Sequence, residues 1–151
     1  MEAVGAFDEL NVAIGAARPH LGATPKDEKL GELLLTIQKN LIALMGEVAC
    51  AESDVQRHAT SKFKRIDAAD VQRIDAAVSD LESLGLKFDG WATPGANPRA
   101  AAFDTARATA RRAERRLCSL PAHGRSVRPE LRQFVNRVSD LLWLLARDAE
   151  Q

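Results

Sequence analysis

The sequence predicts an all-α fold, an antiparallel bundle of five helices. Apolar residues recur at intervals of three and four along five segments, and no segment alternates apolar and polar between turn signals. Tyrosine is absent and aromatics make up only 5% of the residues, which fits a chain without strands. Long amphipathic segments joined by short or moderate connections bury their apolar stripes most simply by packing side by side.

The first helix carries Phe7, Leu10, Ile14 and Ala17 on one face and stops before Pro19, which cannot continue a hydrogen-bonded turn. Thr24 caps the second, with Pro25 at its first position. Its stripe is Leu30, Leu33, Leu34, Ile37, Leu41, Leu44 and Val48. A polar stretch, Glu52 to Arg65, leads to a third helix with Val71, Ile74, Val78, Leu81 and Leu84, ended by Gly85. A loop holding Trp91 and Thr93-Pro94-Gly95-Ala96-Asn97 follows. Asn97 and Pro98 open the fourth helix, whose stripe of Phe103, Ala106, Ala110, Ala113 and Leu117 is small in volume and permits close approach of a neighbour. After a connector from Pro121 to Arg128, Pro129 begins the fifth, with Leu131, Phe134, Val138, Leu141 and Leu145 facing inward.

Composition narrows the functional classes. A chain of 151 residues, 46% hydrophobic, is expected to form one domain over residues 1–151 with a continuous core. Lysine plus arginine equals aspartate plus glutamate, 21 of each, so no global field attracts nucleic acid or an anionic membrane, and anion recognition must be local. No apolar run reaches membrane-spanning length, and the first residues lack the pattern of a signal peptide. Cys50 and Cys118 lack metal or redox spacing and read as buried packing residues in a reducing compartment, which points to a cytoplasmic protein. His20, His58 and His123 lack ligand spacing and are expected at the surface; no metal site built from protein side chains is visible.

The most unusual segment runs from Arg107 to Arg116, with five arginines in about three helical turns. Arg107, Arg111 and Arg115 share one face beside the alanine stripe. Like charges one turn apart repel by a few tenths of a kcal/mol per pair, so the ladder calls for something anionic opposite it, a carboxylate or a polyphosphate. Glu114 is placed to orient one of these arginines. The plainer reading is a solvated face bridged to carboxylates of neighbouring helices. Asn136 and Asp140, one turn apart on the fifth helix, and Asp8-Glu9 on the first are polar pairs that are either wet surface or contacts to a ligand or second subunit.

Four blocks together resemble, in order, the signatures of the propanediol-utilisation-type ATP:cob(I)alamin adenosyltransferases. They are Gly5-Ala-Phe-Asp8-Glu9-Leu10-Asn11, Trp91-Ala-Thr-Pro94-Gly95, Ala106-Arg107 with Arg111-Arg112-Ala-Glu114-Arg115, and Val135-Asn136-Arg137-Val-Ser139-Asp140 continuing to Arg147. The resemblance implies a five-helix bundle with ferritin-like up-down packing that assembles as a homotrimer. It further implies transfer of the 5′-deoxyadenosyl group of ATP to cob(I)alamin at subunit interfaces. Matched residue by residue, Arg111, Arg112, Glu114, Arg115 and Asn136 contact ATP, and Asp8 and Arg111 are catalytic partners joined across the subunit boundary. Trp91 stands where the family has phenylalanine against the corrinoid. Magnesium is expected on the triphosphate, and a cob(II)alamin reductase and an adenosylcobalamin-dependent enzyme are possible partners. The resemblance begins after a Thr-x-Thr-Gly-Asp-type segment that wraps the ATP phosphates. The intact arginine block favours a shortened product over a homologue that lost this segment. Ala96-Asn97 replaces part of a glycine pair, and Asp104 takes a position often held by histidine. A non-catalytic corrinoid-binding or delivery homologue and a helical-bundle interaction module are the alternative readings.

Overall fold

The computed structural model describes residues 1–151 and is all-helical. Six α-helices appear in order: α1 Glu2–Ala17, α2 Pro25–Val48, α3 Val55–Ala59, α4 Ala68–Glu82, α5 Pro98–Ser119 and α6 Pro129–Asp148. Five are the expected long helices. The sixth, α3, is a single short turn inside the polar stretch, too short and too polar to leave a periodic signal. Short 3₁₀ turns follow α1, precede α3 and follow α5.

The helix starts are chemically specified. The Thr24 side chain accepts from the Asp27 amide, and Asn97 accepts from the amide of Ala100. Asp67 and Asp70 form a reciprocal capping box at α4, where each side chain accepts from the other's backbone N–H. Gly85, at φ +63°, takes the chain out of α4 through the left-handed region that a side chain disfavours.

Phe7, Phe103 and Phe134 are fully out of solvent at the centre of one continuous apolar cluster. α5 lies between α1 and α6. Its fully buried Ala106, Ala110 and Ala113, with Ala3 and Ala6 of α1 also buried, keep side-chain bulk low where these helices meet. Replacing Phe103 by alanine is expected to cost about 3–5 kcal/mol through lost burial and the cavity left behind.

Ion pairs fix directions and ends. Asp104 meets Arg147 and Glu114 meets Asn136, so α5 and α6 run antiparallel; Glu2 and Glu9 meet Arg116 and Arg112, so α1 and α5 do too. At one end Arg99 grips Asp27 through two 2.8 Å hydrogen bonds, Lys26 pairs with Asp148 at 2.9 Å, and the Asn97 amide donates to the Ala149 carbonyl at 2.8 Å. At the other, Arg128 donates to both oxygens of buried Glu47, at 2.6 and 2.8 Å, and to the Ile66 carbonyl. Burial pushes the Glu47 carboxyl up, but the Arg128 hydrogen bonds outweigh it and hold the group below its ordinary range.

The cysteines correct the expectation from sequence. Cys118 is exposed and Cys50 half-buried. Cys118 follows Leu117, the last residue of the buried stripe, and one step of about 100° carries it out of the core. His20 and His123 are exposed as expected, whereas His58 is half-buried and stacks on Phe63 with centroids 6.2 Å apart. No single helix is long and apolar enough to cross a membrane.

Candidate active site

The arginine ladder lies on α5 beside the buried alanines, and its rungs differ in what holds them. Arg107, about one-third exposed, donates from Nε to Oδ1 of Asp104 at 3.1 Å. Arg111, half exposed, donates from Nη1 to Oε2 of Glu114 at 2.5 Å. Oε1 of the same Glu114 accepts from the Asn136 amide on α6 at 3.0 Å. Arg107 is drawn back along its helix and Arg111 forward, so two neighbouring guanidiniums are pulled apart and their repulsion is relieved. Arg115 is exposed and has no carboxylate partner within the chain.

The remaining arginines of the run follow the plainer reading of the pattern. Arg112 pairs with Glu9, and Arg116 with Glu2 at 3.1 Å, both across to α1. These contacts are at least half exposed, so each contributes about 1 kcal/mol or less. Asp8, next to Glu9, is exposed and has no cation within its own chain. The chain thus brings Arg111, Glu114 and Asn136 together, sets Arg112 against α1, and leaves Arg115 and Asp8 unpaired.

Trp91 lies apart from this cluster, in the loop between α4 and α5, and is 98% exposed. Gly90 and Gly95, at φ +61° and +105°, give that loop its turns on either side of the indole. Asp140, singled out with Asn136 from its spacing, instead accepts from Arg137 at 3.1 Å, and Arg137 also reaches Asp75 of α4. That carboxylate pair, Asp75 first, raises the Arg137 guanidinium above its ordinary range. An apolar groove of about 510 Å³ between α2, α4 and α6 contains none of the predicted site residues. No group of three or more His, Cys, Asp or Glu side chains is close enough to hold a metal ion.

Sequence reasoning missed the pair beneath the ladder. Asp104 and Arg147 are both buried and meet at 2.5 Å. The available signal was a lone arginine in the leucine-rich last turns of α6, and a lone aspartate beside Phe103, since each charge taken out of water demands a partner.

The family model described as cobalamin adenosyltransferase matches residues 1–149. This chain belongs to the cobalamin adenosyltransferase family. It is 33% identical over 147 residues to the corrinoid adenosyltransferase PduO of Salmonella typhimurium, a match covering 97% of this chain and 41% of that protein. The chain therefore spans well under half the length of this relative. A corrinoid adenosyltransferase of Citrobacter freundii is 32% identical over 152 residues, covering 99% of this chain and 80% of its own length. Among solved structures, a variant PduO-type ATP:corrinoid adenosyltransferase from Lactobacillus reuteri complexed with cobalamin and ATP superposes with a TM-score of 0.81 at 25% identity. That superposition covers 98% of this chain and 76% of the other.

Proposed function

We propose that this chain transfers the 5′-deoxyadenosyl group of ATP to the cobalt of cob(I)alamin, giving adenosylcobalamin and triphosphate. The single observation that carries the reading is the Arg111–Glu114–Asn136 cluster, beside an unpaired Arg115 on the same α5 face. In this reading residues 1–151 form one adenosyltransferase domain, an antiparallel five-helix bundle with α3 as a decoration. Three copies assemble so that Asp8 of one meets Arg111 of the next.

The chemistry is an in-line displacement at the 5′ carbon. A cobalt–carbon bond forms, the bond from that carbon to the triphosphate oxygen breaks, and the negative charge grows on the leaving triphosphate. The protein's tasks are to align the reactants and stabilise that charge. Arg111 and Arg115 supply charged donors, with Arg112 a further contact. Glu114 and Asn136 hold Arg111 at a fixed orientation, so less freedom is lost when phosphate arrives. Magnesium bound to ATP would neutralise phosphate oxygens, and no side chain of this chain is assigned to hold it.

Trp91 supplies an indole to the corrinoid. An aromatic wedge beneath the ring disfavours the lower axial ligand, which eases reduction of cob(II)alamin because an axial donor raises the orbital that accepts the electron. Its nearly complete exposure leaves that face of the ring free to meet a large flat ligand. In this reading a cob(II)alamin reductase supplies the substrate and an adenosylcobalamin-dependent enzyme receives the product. The proposed setting is the cytoplasm, where the exposed Cys118 stays reduced.

The test mixes the protein with chemically reduced cobalamin and magnesium ATP and follows the corrinoid absorption spectrum alongside triphosphate release. Formation of adenosylcobalamin with one triphosphate per turnover is expected. A spectral change on binding corrinoid without triphosphate release would identify a delivery protein instead, and no response to either ligand an interaction module.

A further inference from the structure

The loop that carries Trp91 has no framework of its own. Where α4 ends, the amides of Leu84 and Gly85 bond back to Leu81 and Glu82, and the next amide with a backbone acceptor is Ala101, bonded to Asn97. Residues 86–96 between them make no backbone-to-backbone hydrogen bond. Such a segment takes its order from whatever fastens its two ends.

Both ends are fastened to the same place, the end of α6. On the near side, Gln151 brackets Lys87. Its Oε1 accepts from the Lys87 amide and its Nε2 donates to the Lys87 carbonyl, both at 3.1 Å, and the same Nε2 donates to the Arg147 carbonyl of α6 at 3.0 Å. Phe88, the next residue, meets Trp143 of α6 edge-on with centroids 5.1 Å apart. On the far side, Asn97 divides its side chain between two helices. Its Oδ1 accepts from the Ala100 amide at 2.9 Å and caps α5, while its Nδ2 donates to the carbonyl of Ala149, the residue that closes α6, at 2.8 Å. Trp91 lies between these fastenings at 98% exposure.

We propose that Asn97 and Gln151 are positioning residues, which fasten the two ends of the Trp91 loop to the end of α6 and so present the indole to the corrinoid at one setting. This rests on the reading that Trp91 meets the corrinoid. A loose loop loses its freedom when a large ring settles on it, and that loss weakens binding. Fastening both ends removes part of the loss before the ligand arrives. ATP, held by the α5 arginines, does not feel the difference. Asn97 separates the two effects, because capping and fastening use different atoms of one side chain.

Asn97→Asp keeps an oxygen to cap α5 and removes the donor to Ala149. Gln151→Ala removes the bracket around Lys87. The chain has two tryptophans, so in a Trp143→Phe background Trp91 is the sole emitter, and its emission anisotropy reads the mobility of the loop. Either substitution is expected to lower that anisotropy. In the otherwise unaltered protein, each is expected to raise KM for cob(I)alamin about fivefold, the scale of one net hydrogen bond, with KM for ATP and the urea midpoint at wild-type values. Asn97→Ala, which loses the cap as well, is expected to lower the urea midpoint too. Unchanged anisotropy, an unchanged corrinoid KM, or an equal rise in KM for both substrates overturns this proposal alone. Absence of turnover by the wild-type protein overturns the functional reading, and the anisotropy then still decides whether these two side chains hold the loop.

Discussion

Asn136 on α6 donates a 3.0 Å hydrogen bond to Glu114 on α5, and the other oxygen of that carboxylate holds Arg111. Two helices thus fix one guanidinium. Glu114→Gln keeps the shape and removes the charge, so Arg111 loses its ionic partner and gains rotamer freedom. We expect roughly a tenfold rise in KM for ATP with little change in unfolding free energy, since Arg111 is half exposed. Steady-state kinetics and urea denaturation of the same preparation check it; a loss of stability with unchanged KM would make Glu114 a structural residue.

Arg111 and Arg116 stand on one helix with equal exposure, yet their expected roles differ. Arg116 pairs only with the exposed Glu2, so Arg116→Ala should alter stability by about 0.5 kcal/mol or less and leave turnover near wild type. Arg111→Ala should lower kcat/KM about 10²- to 10³-fold, the scale of losing a charged donor to a leaving group. Equal effects of the two substitutions would dissolve the distinction between a ligand-facing rung and a solvated one.

Acid should loosen the end of the molecule where α2 and α5 begin. The paired hydrogen bonds from Arg99 are the main cause that lowers the Asp27 carboxyl to about 2, opposed by its burial and aided by the Gly22 amide. A folded-state value below the unfolded one means the group stabilises the protein above about pH 4 and loses that contribution as pH falls toward 2. The size is about 2 kcal/mol. Urea denaturation across that range should show Asp27→Asn less stable than wild type at neutral pH, with the difference shrinking as the medium becomes more acid.

The long helices were readable because their stripes are long enough to average out local exceptions, as with Leu30 through Val48 on α2. Short α3 was not, because five residues with none buried carry no period. At the site, spacing placed Arg107, Arg111 and Arg115 on one face, and the four motif blocks led to Asn136 and Trp91. Spacing could not show that Asp104 would reach back to Arg147 or that Arg128 would cross to Glu47. Those pairs join residues 43 and 81 positions apart, and they depend on how the helices are stacked rather than on any one helix. For Asp140, spacing left wet surface and ligand contact both open, and its carboxylate is bonded to Arg137 on its own helix.

Asp8 has no cation in its own chain, and the proposed assembly supplies one from Arg111 of a neighbouring copy. This makes a prediction that a site built within one chain does not share. Asp8→Ala and Arg111→Ala should each be folded and nearly inactive as separate proteins, since both positions are at the surface. When the two are mixed, unfolded and refolded together, about a quarter of the interfaces in a randomly assembled population pair an intact Asp8 with an intact Arg111. Activity should return to that fraction of wild type. If both residues serve a site within the same chain, every site keeps one defect however the copies mix. A refolded mixture no more active than its parents would then rule out a site shared between Asp8 of one copy and Arg111 of the next.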